Sequence, residues 1–137
     1  MTSREKALAL FAQHYNCAQS TLAGCGSLTG LPDEVAFKAA GGFGGGMRIG
    51  SICGAATGGL MALGAIFPFT DSERPEDKAR IGDKTTAFLE AFKAAHGCLD
   101  CEGLVRGDKE GAHDTVCPGL VAWAAAYVEK MSGAKGI

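Results

Sequence analysis

Six cysteines, Cys17, Cys25, Cys53, Cys98, Cys101 and Cys117, are spread through a chain of 137 residues. The thiolate form of cysteine both ligates metals and attacks disulfides, so a chain this rich in thiols invites one chemistry or the other. In a secreted miniprotein an even cysteine count reads as a disulfide framework, but 137 residues are enough to bury a core without covalent staples. The opening Met1-Thr2-Ser3-Arg4-Glu5-Lys6 places no apolar stretch behind a basic start. No secretory signal is read there, and a cytoplasmic, reducing setting is expected, in which clustered cysteines point to metal binding or redox work.

Position sharpens this expectation. Asn16 suits a helix N-cap and Cys17 follows it directly. Ser51 suits another, two residues before Cys53. Cys117 is itself an N-cap candidate, because Pro118 follows in the preferred first helical position. Free N–H groups and the positive dipole end favour an anion at a helix start, and cysteines there can fall from about 8.5 to roughly 3.5–7.5 in pKa. Cys98 and Cys101 form a C-x-x-C pair. Glu102 stands where haem attachment would need a histidine, and no second C-x-x-C completes paired zinc knuckles. Cys25, beside glycines at a helix end, reads as a small buried hydrophobe. His14, His96 and His113 lie near cysteines; they are expected to be solvated, with imidazole in place of a thiolate as the alternative.

Other chemistries find no support. Net charge is −2 with neither sign gathered into a run, which gives no footprint for nucleic acid and no polybasic lipid signal. The most apolar stretch, 52–69, is rich in glycine and alanine and marginal against the roughly 20 residues a membrane span needs. It reads as a buried helix, and no membrane insertion is expected. No Ser-His-Asp pattern or carboxylate pair in an apolar setting stands out.

These residues must be positioned by helices, since period-2 runs and hairpin turns are missing while helical periodicity recurs. Ser3 is expected to cap a first helix carrying Ala7, Leu10 and Phe11. Asn16 and Gln19 have capping-box spacing for a second, ending near Gly24 or Gly26. A third starts at Pro32, with Asp33 and Glu34 in its first turn, and stops at Gly41-Gly42. The glycine-rich stretch 41–46 is a loop, because each glycine inside a helix costs about 1 kcal/mol relative to alanine. A central apolar helix follows over 52–67, then a long amphipathic helix to His96 ended by Gly97. Another loop, with room for a single helical turn near 101–105, precedes a last helix from Pro118 to about Met131. The expectation is a single all-α domain, 1–137, a bundle of five or six helices with a Gly-rich loop before the central one. Gly44, Gly45 and Gly46 fail the G-x-G-x-x-G register and follow no strand. They could form a nest of N–H groups toward sulfur, or merely a tight turn. Gly54 and Gly58, one turn apart, clear a groove beside Cys53 for a cofactor, for a neighbouring helix, or for a second copy in a homodimer. Arg48 could offset the negative charge of thiolates.

The pattern is similar to that of the C_GCAxxG_C_C family of redox-active proteins. It carries Cys17 in Asn16-Cys17-Ala18-Gln19, then Cys53-Gly54-Ala55-Ala56-Thr57-Gly58 behind the Phe43-Gly44-Gly45-Gly46-Met47 loop and Arg48. Cys101 in Cys101-Glu102-Gly103-Leu104 and Cys117 follow. The resemblance covers nearly the whole chain. It implies a helical redox or metal-binding protein with Cys17, Cys53, Cys101 and Cys117 as its characteristic sulfurs and Cys25 and Cys98 as extras. Three functions fit. The first is an iron–sulfur or related metal cluster held by those four cysteines, exchanging electrons with a redox partner protein. The second is a metal-free thiol–disulfide oxidoreductase or redox sensor using Cys98/Cys101 and a helix-start cysteine. The third is a scaffold closed around zinc in a Cys₄ site.

Overall fold

A computed structural model describes residues 1–106 and 109–136. It is all-α, with α1 (Ser3–Ala12), α2 (Cys17–Gly24), α3 (Gly26–Thr29), α4 (Asp33–Ala40), α5 (Gly54–Ile66), α6 (Pro75–His96), α7 (Cys101–Val105), α8 (Lys109–Thr115) and α9 (Cys117–Gly136). Among the described residues these nine α-helices exceed the five or six expected. The additional ones are short: α3 is a single turn after the break at Cys25, and α8 is polar, with Gly111 inside it and no apolar stripe to announce it.

Several boundaries move for identifiable reasons. Thr2, not Ser3, caps α1, because its side chain accepts from Glu5 N–H while Glu5 accepts from Thr2 N–H; Ser3 becomes the first helical residue. Pro32 is the N-cap of α4 instead of its first residue, at φ −60° and ψ 146°. The central helix starts at Gly54, with Cys53 rather than Ser51 as N-cap. Residues just before it are extended instead, held by an antiparallel bridge between Ile52 and Asp100. Cys117 is likewise the first residue of α9 rather than its cap, and α9 continues past Met131 to Gly136. At α2 the Asn16–Gln19 capping box is present as expected, and α6 ends at His96 with Gly97 left-handed at φ 91°.

Helix α2 is buried between α1, α4, α5 and α9. Small residues make this possible. A Cβ at Gly58 would lie 2.6 Å from the Ala18 carbonyl oxygen and 3.0 Å from its Cα, and one at Gly24 would lie 2.6 Å from Ala7 Cβ. The Gly54/Gly58 face is therefore filled by α2 of the same chain and is closed to a second copy. Gly58→Ala is expected to push α5 off α2 and destabilise the fold by about 1–3 kcal/mol, despite alanine's better helix propensity. Thermal denaturation should show a Tm lowered by several degrees; an unchanged or raised Tm contradicts the close approach. On the far side of α5, Phe88 and Phe92 of α6 are fully buried, and the Phe88 ring lies against Gly59, Trp123 and Tyr127. Among the described residues no helix is long and apolar enough to cross a membrane.

Candidate functional site

Cys17, Cys53, Cys101 and Cys117 each stand at the start of a helix, as first residue of α2, α7 and α9 and as N-cap of α5. Two devices gather these starts. Asn16 accepts from Gln19 N–H at 2.8 Å to hold Cys17 at the head of α2, and its Nδ2 donates to the Gly41 carbonyl at 3.1 Å. Gln19 Nε2 donates to the Phe37 carbonyl at 3.0 Å, so α2 is tied to the segment entering the glycine loop. At the second junction Cys53 N–H donates to the Leu99 carbonyl at 2.8 Å and Cys101 N–H to the Ser51 carbonyl at 2.6 Å. That short backbone pairing sets Cys53 beside Cys101 across 48 positions of sequence. Nothing in the local sequence announces it, because a single bridge needs no alternating run.

The four sulfurs line one cavity of about 360 Å³, together with Gly44, Gly45, Arg48 and Gly54. The glycines are sterically required. A Cβ at Gly44 would meet the Asn16 side chain at 2.8 Å, and one at Gly54 would meet Cys17 Cβ at 3.1 Å and the Phe43 carbonyl oxygen at 3.0 Å. Gly46 and Gly58 do not line the cavity. Gly46 is pressed against the Ser51 backbone, and Gly58 packs on α2. Gly45, Gly46, Met47 and Arg48 form four successive left-handed residues, at φ 63°, 61°, 60° and 66°. The loop is thus a left-handed turn, not an alternating nest, and at Met47 and Arg48 it costs roughly 1–2 kcal/mol per residue.

Cys25 is fully buried, with its sulfur 4.0 Å from the Ala125 carbonyl, and takes no part. Cys98 lines a separate cavity with His96, on the other side of Leu104 and Val105, so the C-x-x-C pair is divided between two cavities. All six cysteines are thiols. His14 and His113 are exposed, as expected, and they also line the first cavity. His96 instead packs edge-on against Phe92 and Trp123.

Helix starts do not lower every thiol. The Cys17 thiol hydrogen-bonds the Cys117 sulfur, which drives Cys117 down to about 7 while burial resists and His113 assists. The same hydrogen bond, then burial, then the other three sulfurs push Cys17 well up. Burial raises Cys53 to about 11 even though the N–H groups of Ala55 and Ala56 face its sulfur, and burial raises Cys25 to about 12. At Cys53 desolvation therefore outweighs the helix N-terminus. In the metal-free, reduced chain Cys117 is thiolate above about pH 7 and thiol below it. Iodoacetamide mapped by peptide mass should label Cys117 with a rate rising through that pH, while Cys17, Cys25 and Cys53 stay slow to pH 9. Equal labelling of Cys17 and Cys117 at pH 7 contradicts the pairing.

Fold and site together define a class: an all-α protein that brings four helix-start thiols and a glycine turn to one cavity. The family model described as "Putative redox-active protein (C_GCAxxG_C_C)" matches residues 15–131, and the chain belongs to that family. No curated protein and no solved structure matches it.

Proposed function

We propose that this is a redox protein whose Cys17, Cys53, Cys101 and Cys117 together hold an iron–sulfur or related multinuclear metal cluster and pass electrons to a redox partner protein. The observation that carries this reading is the meeting of four thiols from four separate helix starts at one cavity, whereas a disulfide needs only two. The spacing bears on the kind of group. A single zinc ion bonds thiolates at about 2.3 Å and so needs all four sulfurs within about 4 Å of one another. Among the described residues no three cysteine, histidine or carboxylate side chains are grouped to hold one ion. A multinuclear group spreads its ligands over more than one metal and does not need all four sulfurs around a single ion. When bound, such a cluster supplies one-electron transfer. The chain's own contribution is to supply four thiolates, keep the buried Cys53 side away from water, and leave glycine where bulk would intrude.

The contact between Cys17 and Cys117 favours a second reading, a dithiol. The Cys117 thiolate would attack a substrate disulfide, releasing one thiolate, and Cys17 would resolve the mixed disulfide, releasing the second thiol and leaving a Cys17–Cys117 disulfide. Cys98 is not placed to serve in it. Anaerobic incubation of the full chain with ferrous iron and sulfide separates the two readings. The cluster reading expects a brown protein with sulfide-to-iron charge-transfer absorption that bleaches with dithionite. A colourless chain that loses two thiols to mild oxidation while Cys53 and Cys101 remain titratable overturns it in favour of the dithiol.

A further inference from the structure

The same cavity carries a feature that four thiolates do not explain. Its rim bears three basic side chains, His14, Arg48 and His113, and among the described residues no aspartate or glutamate lines it, in a chain of net charge −2. Two carboxylates lie close by, outside the lining: Asp114, 3.4 Å from His113 Nδ1 and 86% exposed, and Glu102, whose side chain lies against Gly50, two residues after Arg48. Two of the three basic residues hold left-handed backbone without being glycine: His14 at φ 77° and Arg48 at φ 66°. Such conformations cost free energy and persist where the surrounding structure fixes them. At His14 the fixing is visible. Its N–H donates to the Phe11 carbonyl at 3.0 Å and Tyr15 N–H to the Leu10 carbonyl at 3.4 Å, a helix-ending motif that turns His14 back toward the head of α2. At Arg48 the fixing is the left-handed turn that begins at Gly45. Two unrelated segments are thus bent to bring an imidazole and a guanidinium to one opening. All three are exposed at the rim rather than buried against the sulfurs. A solvent-facing rim of one guanidinium and two imidazoles, over a cavity with free volume for several waters' worth of ligand at about 30 Å³ each, is suited to a small anion entering from solution.

We infer that this cavity binds a compact oxyanion at its rim, gripped by Arg48 with His14 and His113 and held over the cysteine floor. A guanidinium presents a planar fork of donors that matches two oxygens of such an anion, and the two imidazoles approach from the turn after α1 and from α8. The inference goes beyond the cluster reading and does not require it, since the rim is built from side chains that the four-cysteine assignment leaves unused.

The test uses inorganic sulfate, an unreactive tetrahedral oxyanion, titrated calorimetrically at constant ionic strength into the reduced, metal-free full chain. Saturable binding at one site per chain is expected. Arg48→Asn should weaken it about tenfold or more, because a charge-assisted hydrogen-bonding group is lost. Asparagine tolerates left-handed backbone, so this variant and His14→Asn keep the turns. His113→Gln should weaken binding by a smaller factor, and Arg106→Asn serves as the matched control. Arg106 is also left-handed, at φ 52°, but lines the other cavity, so its replacement should leave sulfate binding unchanged. No saturable binding to the metal-free or the iron-loaded chain overturns the inference, as does equal weakening by Arg48→Asn and Arg106→Asn. Loading with iron and sulfide is scored separately by absorbance. A chain that loads but never binds sulfate keeps the cluster reading and loses this one; a chain that binds sulfate but never loads does the reverse.

Discussion

Replacing Cys17, Cys53, Cys101 or Cys117 singly by serine is expected to abolish stable retention of an iron–sulfur cluster, whereas Cys98→Ser leaves iron and sulfide content near that of the unaltered chain. The contrast follows from placement. The four line one cavity, and Cys98 lines another beyond Leu104 and Val105. Serine keeps the size and the helix start but offers a hard oxygen in place of a soft thiolate. The four variants should also fold. Each site lies at a helix terminus, where a hydroxyl is tolerated or favoured as a cap. Circular dichroism like that of the unaltered chain, together with lost visible absorption, is the expected pair of results. If Cys53→Ser and Cys101→Ser load normally while Cys17→Ser and Cys117→Ser do not, two sulfurs suffice and the dithiol reading takes over. Cys25→Ser is a poor control, because burying its hydroxyl costs stability for reasons unrelated to the site.

The largest stability effect is expected far from the cysteines. Phe88→Ala should cost about 3–5 kcal/mol, since the ring is fully buried and its removal leaves a cavity that the surrounding aromatics cannot close. The ring stands 5.9 Å from that of Trp123 and 6.0 Å from that of Tyr127, and it occupies the space left by Gly59. Because the total stability of a domain is only about 5–15 kcal/mol, the loss brings the chain near its threshold. Urea unfolding monitored through the single tryptophan should show a midpoint shifted to much lower denaturant. A shift worth less than 1 kcal/mol means that α6 is not clamped to α5 and α9 by this ring. The oxyanion rim and the thiol cavity are built by α1, α2, the glycine turn and the segments around 101 and 117. Ligand binding should therefore survive in whatever fraction of this variant remains folded.

The helical class was legible because it rests on local signals. The Asn16–Gln19 box, the acidic start of α4, Gly97 at the end of α6 and the short helix at 101–105 each declare themselves within a few residues. The cysteine quartet was legible for another reason. Three of its members follow recognisable helix starts, and the Gly-rich run into Cys53-Gly54 is distinctive of the family. What could not be read is non-local. The Ile52–Asp100 bridge that sets Cys53 beside Cys101 has no periodic pattern, and the separation of Cys98 from Cys101 depends on which side of α7 each sulfur takes. The basicity of Cys17 and Cys53 was misjudged because a helix start is visible in sequence, whereas the Cys117 contact that raises Cys17 and the desolvation that raises Cys53 are not. Gly58 looked like part of a cofactor groove and is a contact with α2, since spacing marks a close approach without naming what approaches. His14 and His113 sat near cysteines in the chain, but only the turn after α1 and the course of α8 bring them to the same rim.

The most direct test is a thiol-protection measurement on the full chain purified without oxygen. Alkylating reagent is applied before and after acid and chelator strip any bound group, and each cysteine is quantified by peptide mass. The account predicts that Cys17, Cys53, Cys101 and Cys117 are protected together before stripping, that Cys98 is labelled, and that Cys101 and Cys117 become reactive as iron and sulfide are released. Labelling of Cys101 and Cys117 at the same rate before and after stripping, with no iron or sulfide recovered, would contradict the claim that these four sulfurs hold one group.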